Sequence, residues 1–162
     1  VLGATLDVAR AAGLRQLIVT LGGAAQLVRE RVPLDGVDVV TVGDFGTGCS
    51  ASLRVALDVV HPRSAGIVLM LGDQPGIDPA DVRSIGTGDA DIAVCRYADG
   101  IGHPFWFSRN MFEELSGLHG DKGVWKLIES GRHPVGELSV DRSVPLDVDT
   151  WEDYQRLLAT AT

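Results

Sequence analysis

Three short apolar runs, Leu17 to Leu21, Val37 to Val42 and Ile67 to Leu71, constrain the fold more than any other feature of the chain. They are rich in β-branched residues and largely free of charge, as strands covered on both faces are. Helical patterns separate them over about residues 24 to 31 and 50 to 60. Strand and helix alternating with short connections build right-handed βαβ units and a parallel sheet. The expected fold is therefore α/β, with a mostly parallel central sheet and helices on both faces. Sheets of this kind bind ligands in a crevice beyond the carboxyl ends of their strands.

The flanking segments fit this frame. Residues 2 to 12 repeat apolar side chains at helical spacing and stop at Gly13, a residue suited to a left-handed C′ position. A second strand set follows at Asp91 to Tyr97, Pro104 to Phe107, Val135 to Val140 and Val144 to Val148, and it reads as more mixed than parallel. Asp78 before Pro79 supplies an N-cap and an N1 proline. Thr150 with Asp153 three residues on forms a capping box for a last helix, whose Trp151, Tyr154 and Leu158 share one face and are expected to pack back onto the sheet.

The chain has 162 residues, the size of one domain with a core of its own, and neither a repeat nor a linker-like tract divides it. A single domain over residues 1–162 is expected. No apolar run approaches the roughly 20 residues of a membrane helix, and the expectation is a soluble cytoplasmic protein with no membrane partner. Cys49 and Cys95 lie outside any metal-ligand spacing, so reduced thiols are expected. A formal net charge of −8, with no cluster of Lys and Arg, argues against a nucleic-acid surface, and no nucleic-acid partner is expected. If the substrate is a phosphate anion, a cation must help, which favours a divalent metal held by carboxylates.

The carboxylates that could do so follow strands. Asp73, in Gly72-Asp73-Gln74-Pro75, comes directly after a buried strand, where its side chain would point into the ligand crevice. Oxygen ligands of this kind suit Mg²⁺ bridging substrate phosphates. A Gly-Asp-Gln-Pro turn that merely ends the strand accounts for the same residues. Asp147 and Asp149 are read as ending a later strand on opposite faces, one acid meeting Asp73 and the other capping the last helix. Residues 46 to 53, Gly-Thr-Gly-Cys-Ser-Ala-Ser-Leu, follow a strand and open a helix, so backbone N–H groups and hydroxyls there can meet a phosphate or nucleotide. A serine N-cap is the plainer account. His103, between Gly102 and Pro104, either donates to an anionic substrate or serves a turn. Asp121, between Gly120 and Lys122, either caps a helix or helps to place its N-terminus at the site.

In order, GTGCSASLRVAL, LGDQPGI, GIGHPFWF, LHGDKG and DVDTWEDY resemble the molybdenum-cofactor nucleotidyltransferase family, particularly its cytidylyltransferase branch. The resemblance spans residues 2 to about 158, and it lies in the order and spacing of five motifs rather than in any one of them. It implies a Rossmann-like nucleotide-diphospho-sugar transferase fold. It also implies transfer of CMP from CTP, or of GMP from GTP, to the terminal phosphate of a molybdopterin cofactor, with a molybdoenzyme as recipient. Carried over by position, Asp73 matches the family's Mg²⁺-binding and catalytic acid, and Asp149 or Asp147 the later acid near the metal. Gly48, Ser50, Ser52 and Leu53 match the loop beside the nucleobase, and Gly102, His103, Pro104 and Asp121 the pterin side. The family's glycine-rich LAAGxSxRxGxxK segment would precede Val1. It is expected to exist ahead of this chain, because residue 2 begins where the helix after that segment would begin. The rival readings are a nucleotidyltransferase of the same fold acting on another small phosphate, and a non-catalytic carrier of the cofactor.

Overall fold

The computed structural model describes residues 1–43 and 48–160. Helix α1 (Leu2–Ala12) ends at Gly13, whose φ of 72° and N–H bond to the Arg10 carbonyl match the expected left-handed cap. Strand β1 (Ile18–Leu21), helix α2 (Ala25–Arg31) and strand β2 (Asp38–Thr41) form a βαβ unit with β1 and β2 paired in parallel. Helix α3 (Cys49–Leu57) leads to β3 (Gly66–Leu69), and α4 (Pro79–Ser84) starts where Asp78 Oδ1 accepts from the Ala80 N–H at 2.7 Å. Strands β4 (Ile92–Tyr97) and β5 (Gly100–Ser108) form a hairpin, followed by a 3-10 turn, α5 (Phe112–Ser116), α6 (Gly123–Glu129), β6 (Val135–Ser139) and α7 (Trp151–Thr160).

The strands fall into a two-stranded sheet, β1-β2, and a four-stranded sheet of order β3-β5-β4-β6. β4 and β6 are parallel, and β5 alone runs against both of its neighbours. Alternation along β4 divides the core between two faces. Ile92 and Val94 point to one side with Phe105 and Phe107 of β5, against Leu53 and Leu57 of α3, Leu115 of α5 and Leu127 of α6. Ala93, Cys95 and Tyr97 point to the other, with Ile85 and Val140. Beyond them, Ala12 of α1 meets Val82 of α4. Helices thus cover both faces, as the strand–helix alternation requires. No helix among the described residues is long and apolar enough to cross a membrane.

Three expectations are corrected. β5 begins at Gly100 rather than Pro104, because Ala98 and Asp99 turn tightly enough for Gly100 to pair with Tyr97. Val144 to Val148 is no strand: Pro145 has no N–H, the Val144 N–H goes to Asp99 Oδ1 at 2.8 Å, and the Val148 N–H goes to the Asp73 carbonyl at 3.0 Å. The last helix has its capping box, with the Thr150 N–H on Asp153 Oδ2 at 3.0 Å and the Asp153 N–H on Thr150 Oγ1 at 3.1 Å. It does not bury its apolar face on the sheet. Its start is tethered to the Asp73 loop through Val148, Trp151 leaves 67% of its surface exposed, and that ring rests on Tyr154 at 5.3 Å instead.

Candidate active site

The segment after β3 is fixed from three sides. Thr5 Oγ1 of α1 donates to the Gly72 carbonyl at 3.0 Å, the Gln74 N–H turns back to the Leu71 carbonyl, and the Asp73 carbonyl takes the Val148 N–H. These bonds aim the Asp73 side chain inward, where its Oδ1 is buried and meets no donor among the described residues. Burial raises the Asp73 pKa, Asp147 and Asp149 push it further in the same direction, and a backbone hydrogen bond opposes them. A half-buried carboxylate with an unmet oxygen and two like charges nearby is a poor anion site and a suitable cation site.

Asp147 and Asp149, read from the sequence as facing opposite ways, both raise the Asp73 pKa, Asp147 the more. Side chains two apart along an extended strand share a face, so alternation by itself does not set these two acids apart. Asp149 is not needed as a cap, because Thr150 fills that role. Gln74, 3% exposed, donates from Nε2 to Asp147 Oδ1 at 2.6 Å. Among the described residues, no three His, Cys, Asp or Glu side chains gather closely enough to cage a metal. Two carboxylates with substrate oxygens completing the shell is how Mg²⁺ is commonly held, so the acids here fit such an ion.

The start of α3 forms the next wall. Gly46 and Thr47 lie outside the described residues, and the account begins at Gly48. No serine caps this helix. Its first N–H, on Cys49, is met by Asp121 Oδ1 at 3.0 Å, and Ser50 Oγ donates to the Gly120 carbonyl at 2.6 Å. The two glycine-bearing loops interlock, and an added Cβ on Gly123 would come within 2.7 Å of Ser50 Oγ. Ser52 is half-buried, and the Leu53 side chain lies in the core. The Cys49 thiol pKa is raised by burial first, then by Asp121 and Asp73, so the α3 start lies within reach of the Asp73 charge.

Gly102, His103 and Pro104 lie deeper. An added Cβ on Gly102 would meet Val144 Cγ1 at 3.0 Å, so this stretch packs against Val144. The His103 ring stands 4.0 Å from Phe105 and edge-on to Trp125, and burial pushes its pKa down to about 4, so the imidazole is neutral at pH 7. Its carbonyl accepts from the Tyr97 hydroxyl at 2.6 Å, and Pro104 is wholly buried.

The model of the MobA-like NTP transferase domain matches residues 1–135. The chain belongs to the MobA-like NTP transferase family. Within it, the chain is similar to Rv0371c of Mycobacterium tuberculosis H37Rv, whose structure in complex with manganese is 68% identical, with a TM-score of 0.91 over 98% of this chain and 86% of that one. The purine catabolism protein PucB of Bacillus subtilis (strain 168) is 30% identical over 92 residues, and the match spans 55% of this chain and 45% of PucB. A nucleotidyl transferase from Methanothermobacter, 24% identical with a TM-score of 0.81 over 98% of this chain and 79% of that one, shares the nucleotidyltransferase fold.

Asp121 meets the start of α3 at the Cys49 N–H, Asp121 and Asp73 both raise the Cys49 pKa, and Asp147 and Asp149 raise that of Asp73, while Gly102, His103 and Pro104 are buried beside Val144. Sequence reasoning missed Gln74, although it stands beside Asp73 in the same motif. Its partner is 73 positions away, and no local pattern announces a contact of that separation.

Proposed function

We propose that this protein transfers CMP from CTP to the terminal phosphate of a molybdopterin cofactor and releases pyrophosphate. Family membership and fold support a nucleotidyltransferase, and the order of its five motifs favours the cytidylyl branch. The observation that carries the reading is the Asp73 carboxylate. It follows a sheet strand, has a buried oxygen without a donor among the described residues, and feels Asp147 and Asp149.

Asp73 and Asp147 or Asp149 would hold a divalent cation, and the manganese complex of Rv0371c supports a metal of this class, here Mg²⁺. Such an ion neutralises charge developing on the phosphates. The chain's own part is alignment. The start of α3, from Gly48 to Ser52, borders the nucleotide side, and Asp121 fixes its first N–H. The acceptor approaches from the wall built by Gly102 and His103, whose neutral ring adds no charge to the site. Its phosphate oxygen attacks the α-phosphorus in line, a new P–O bond forms, the bond to the β-phosphate oxygen breaks, and the pair leaves with pyrophosphate. No covalent nucleophile is needed.

Full-length protein incubated with Mg²⁺, molybdenum cofactor and each nucleoside triphosphate in turn tests this. Pyrophosphate release with CTP is the expected result. Release with GTP alone moves the protein to the guanylyl branch. Release with no triphosphate overturns catalysis and leaves the carrier reading.

A further inference from the structure

We infer that Gln74 is a positioning residue of the carboxylate site: its buried amide holds Asp147 so that this acid and Asp73 face one divalent cation. The inference rests on the metal reading above and goes beyond it.

Asp147 lies on a segment outside regular secondary structure, so no helix or ladder orients it. Its recorded side-chain partner is Gln74 Nε2 at 2.6 Å, while the Val148 N–H ties the adjoining backbone to the Asp73 carbonyl. Gln74 therefore sits between two acids, bonded to Asp73 along the chain and to Asp147 through its side chain. Gln74 is almost wholly buried, and its Oε1 has no donor among the described residues. A half-met amide in a buried place is costly, and an apolar side chain of similar length would pack there without that cost.

What an amide supplies, and an apolar chain cannot, is a neutral N–H aimed at a carboxylate. Neutrality matters here. A Lys or Arg at this point would pair with Asp147 and compete with the cation, and an acid would repel it. The amide engages Oδ1 and leaves the other oxygen of Asp147 for an incoming ion, the arrangement by which outer groups orient carboxylate ligands.

The test uses full-length protein and Mn²⁺ alone, with unbound Mn²⁺ read by electron paramagnetic resonance. Gln74→Leu and Gln74→Asn, the second a shortened amide that keeps the polarity, are each expected to weaken Mn²⁺ binding tenfold or more, the usual range for such outer partners. The melting temperature of metal-free Gln74→Leu is expected to hold or rise, because the unmet Oε1 is gone. In an Asp147→Asn background, Gln74→Leu is expected to change Mn²⁺ affinity less than twofold, since its effect runs through that acid. Wild-type affinity in both single variants overturns the inference, as do independent, multiplying effects of the Gln74 and Asp147 substitutions. If the wild type binds no Mn²⁺ that Asp73→Asn removes, the metal reading itself fails and takes this inference with it. That failure is distinct from one in which the wild type binds and the Gln74 variants bind equally.

Discussion

Gly48→Ala tests whether the two interlocked loops support α3. Gly48 holds φ 95° and ψ 176° at the helix N-cap, a backbone region almost confined to glycine, and an alanine forced there costs on the order of 1–3 kcal/mol. Its Cβ would lie 2.7 Å from Asp121 Oδ1, 2.8 Å from the Gly120 carbonyl carbon and 2.9 Å from the Asp121 nitrogen. Overpacking of that kind adds roughly 1–3 kcal/mol. Undocking the loop is the escape, and it forfeits the Cys49 and Ser50 hydrogen bonds at about 1 kcal/mol each. The expected loss is about 3 kcal/mol, which for a domain of this size lowers Tm by roughly 6–12 °C. Gly88→Ala is the control: its Cβ meets nothing within 4 Å, and a change within about 0.5 kcal/mol is expected. Asp121→Ala should not rescue Gly48→Ala, because two of the three close atoms are backbone. Thermal and denaturant unfolding of the three variants read these differences. A Gly48→Ala protein that melts with the wild type refutes the interlock.

His103 gives a pH signature. With its folded pKa near 4 against an ordinary 6.5, the unfolded chain binds the extra proton between those values. Stability is full above about pH 6.5 and falls by up to about 3 kcal/mol as pH drops toward 4, and His103→Gln should flatten that part of the curve in denaturant titrations. Asp73→Asn should abolish turnover while the metal-free protein melts at or above the wild-type temperature, since a neutral amide relieves burial of charge and repulsion from Asp147 and Asp149. Retained turnover would mean that another residue holds the metal. Phe105→Ala, in the fully buried centre of β5, should cost about 3–5 kcal/mol in unfolding, and a loss below 1 kcal/mol would place the core elsewhere.

Much of the fold was legible because local rules act within a few residues. The β-branched runs became β1, β2 and β3, Gly13 stopped α1, Asp78 capped α4, and Thr150 with Asp153 opened α7. Where the outcome depended on distant partners, the pattern misled. Val144 to Val148 has a strand's composition, but its N–H groups at Val144 and Val148 are taken by Asp99 and Asp73. Trp151, Tyr154 and Leu158 have the spacing of a buried face, yet Trp151 and Leu158 stay exposed.

The site divides the same way. Asp73 was readable from its place after a strand, whereas how Asp147 and Asp149 sit near it depends on a segment that forms no strand. That Asp121 caps a helix 72 positions earlier, and that Gln74 holds Asp147, depends on how loops meet once the sheet has formed. The depth of His103 also had no local sign, because Gly102 and Pro104 read equally well as a turn.

The most direct test of the central claim follows the nucleotide itself. Full-length wild-type protein and Asp73→Asn are given CTP labelled at the α-phosphorus, Mg²⁺ and molybdenum cofactor, and label on the cofactor is counted. The account predicts label on the cofactor with the wild type and almost none with Asp73→Asn. Undiminished labelling with Asp73→Asn, or none from CTP with the wild type, would contradict it.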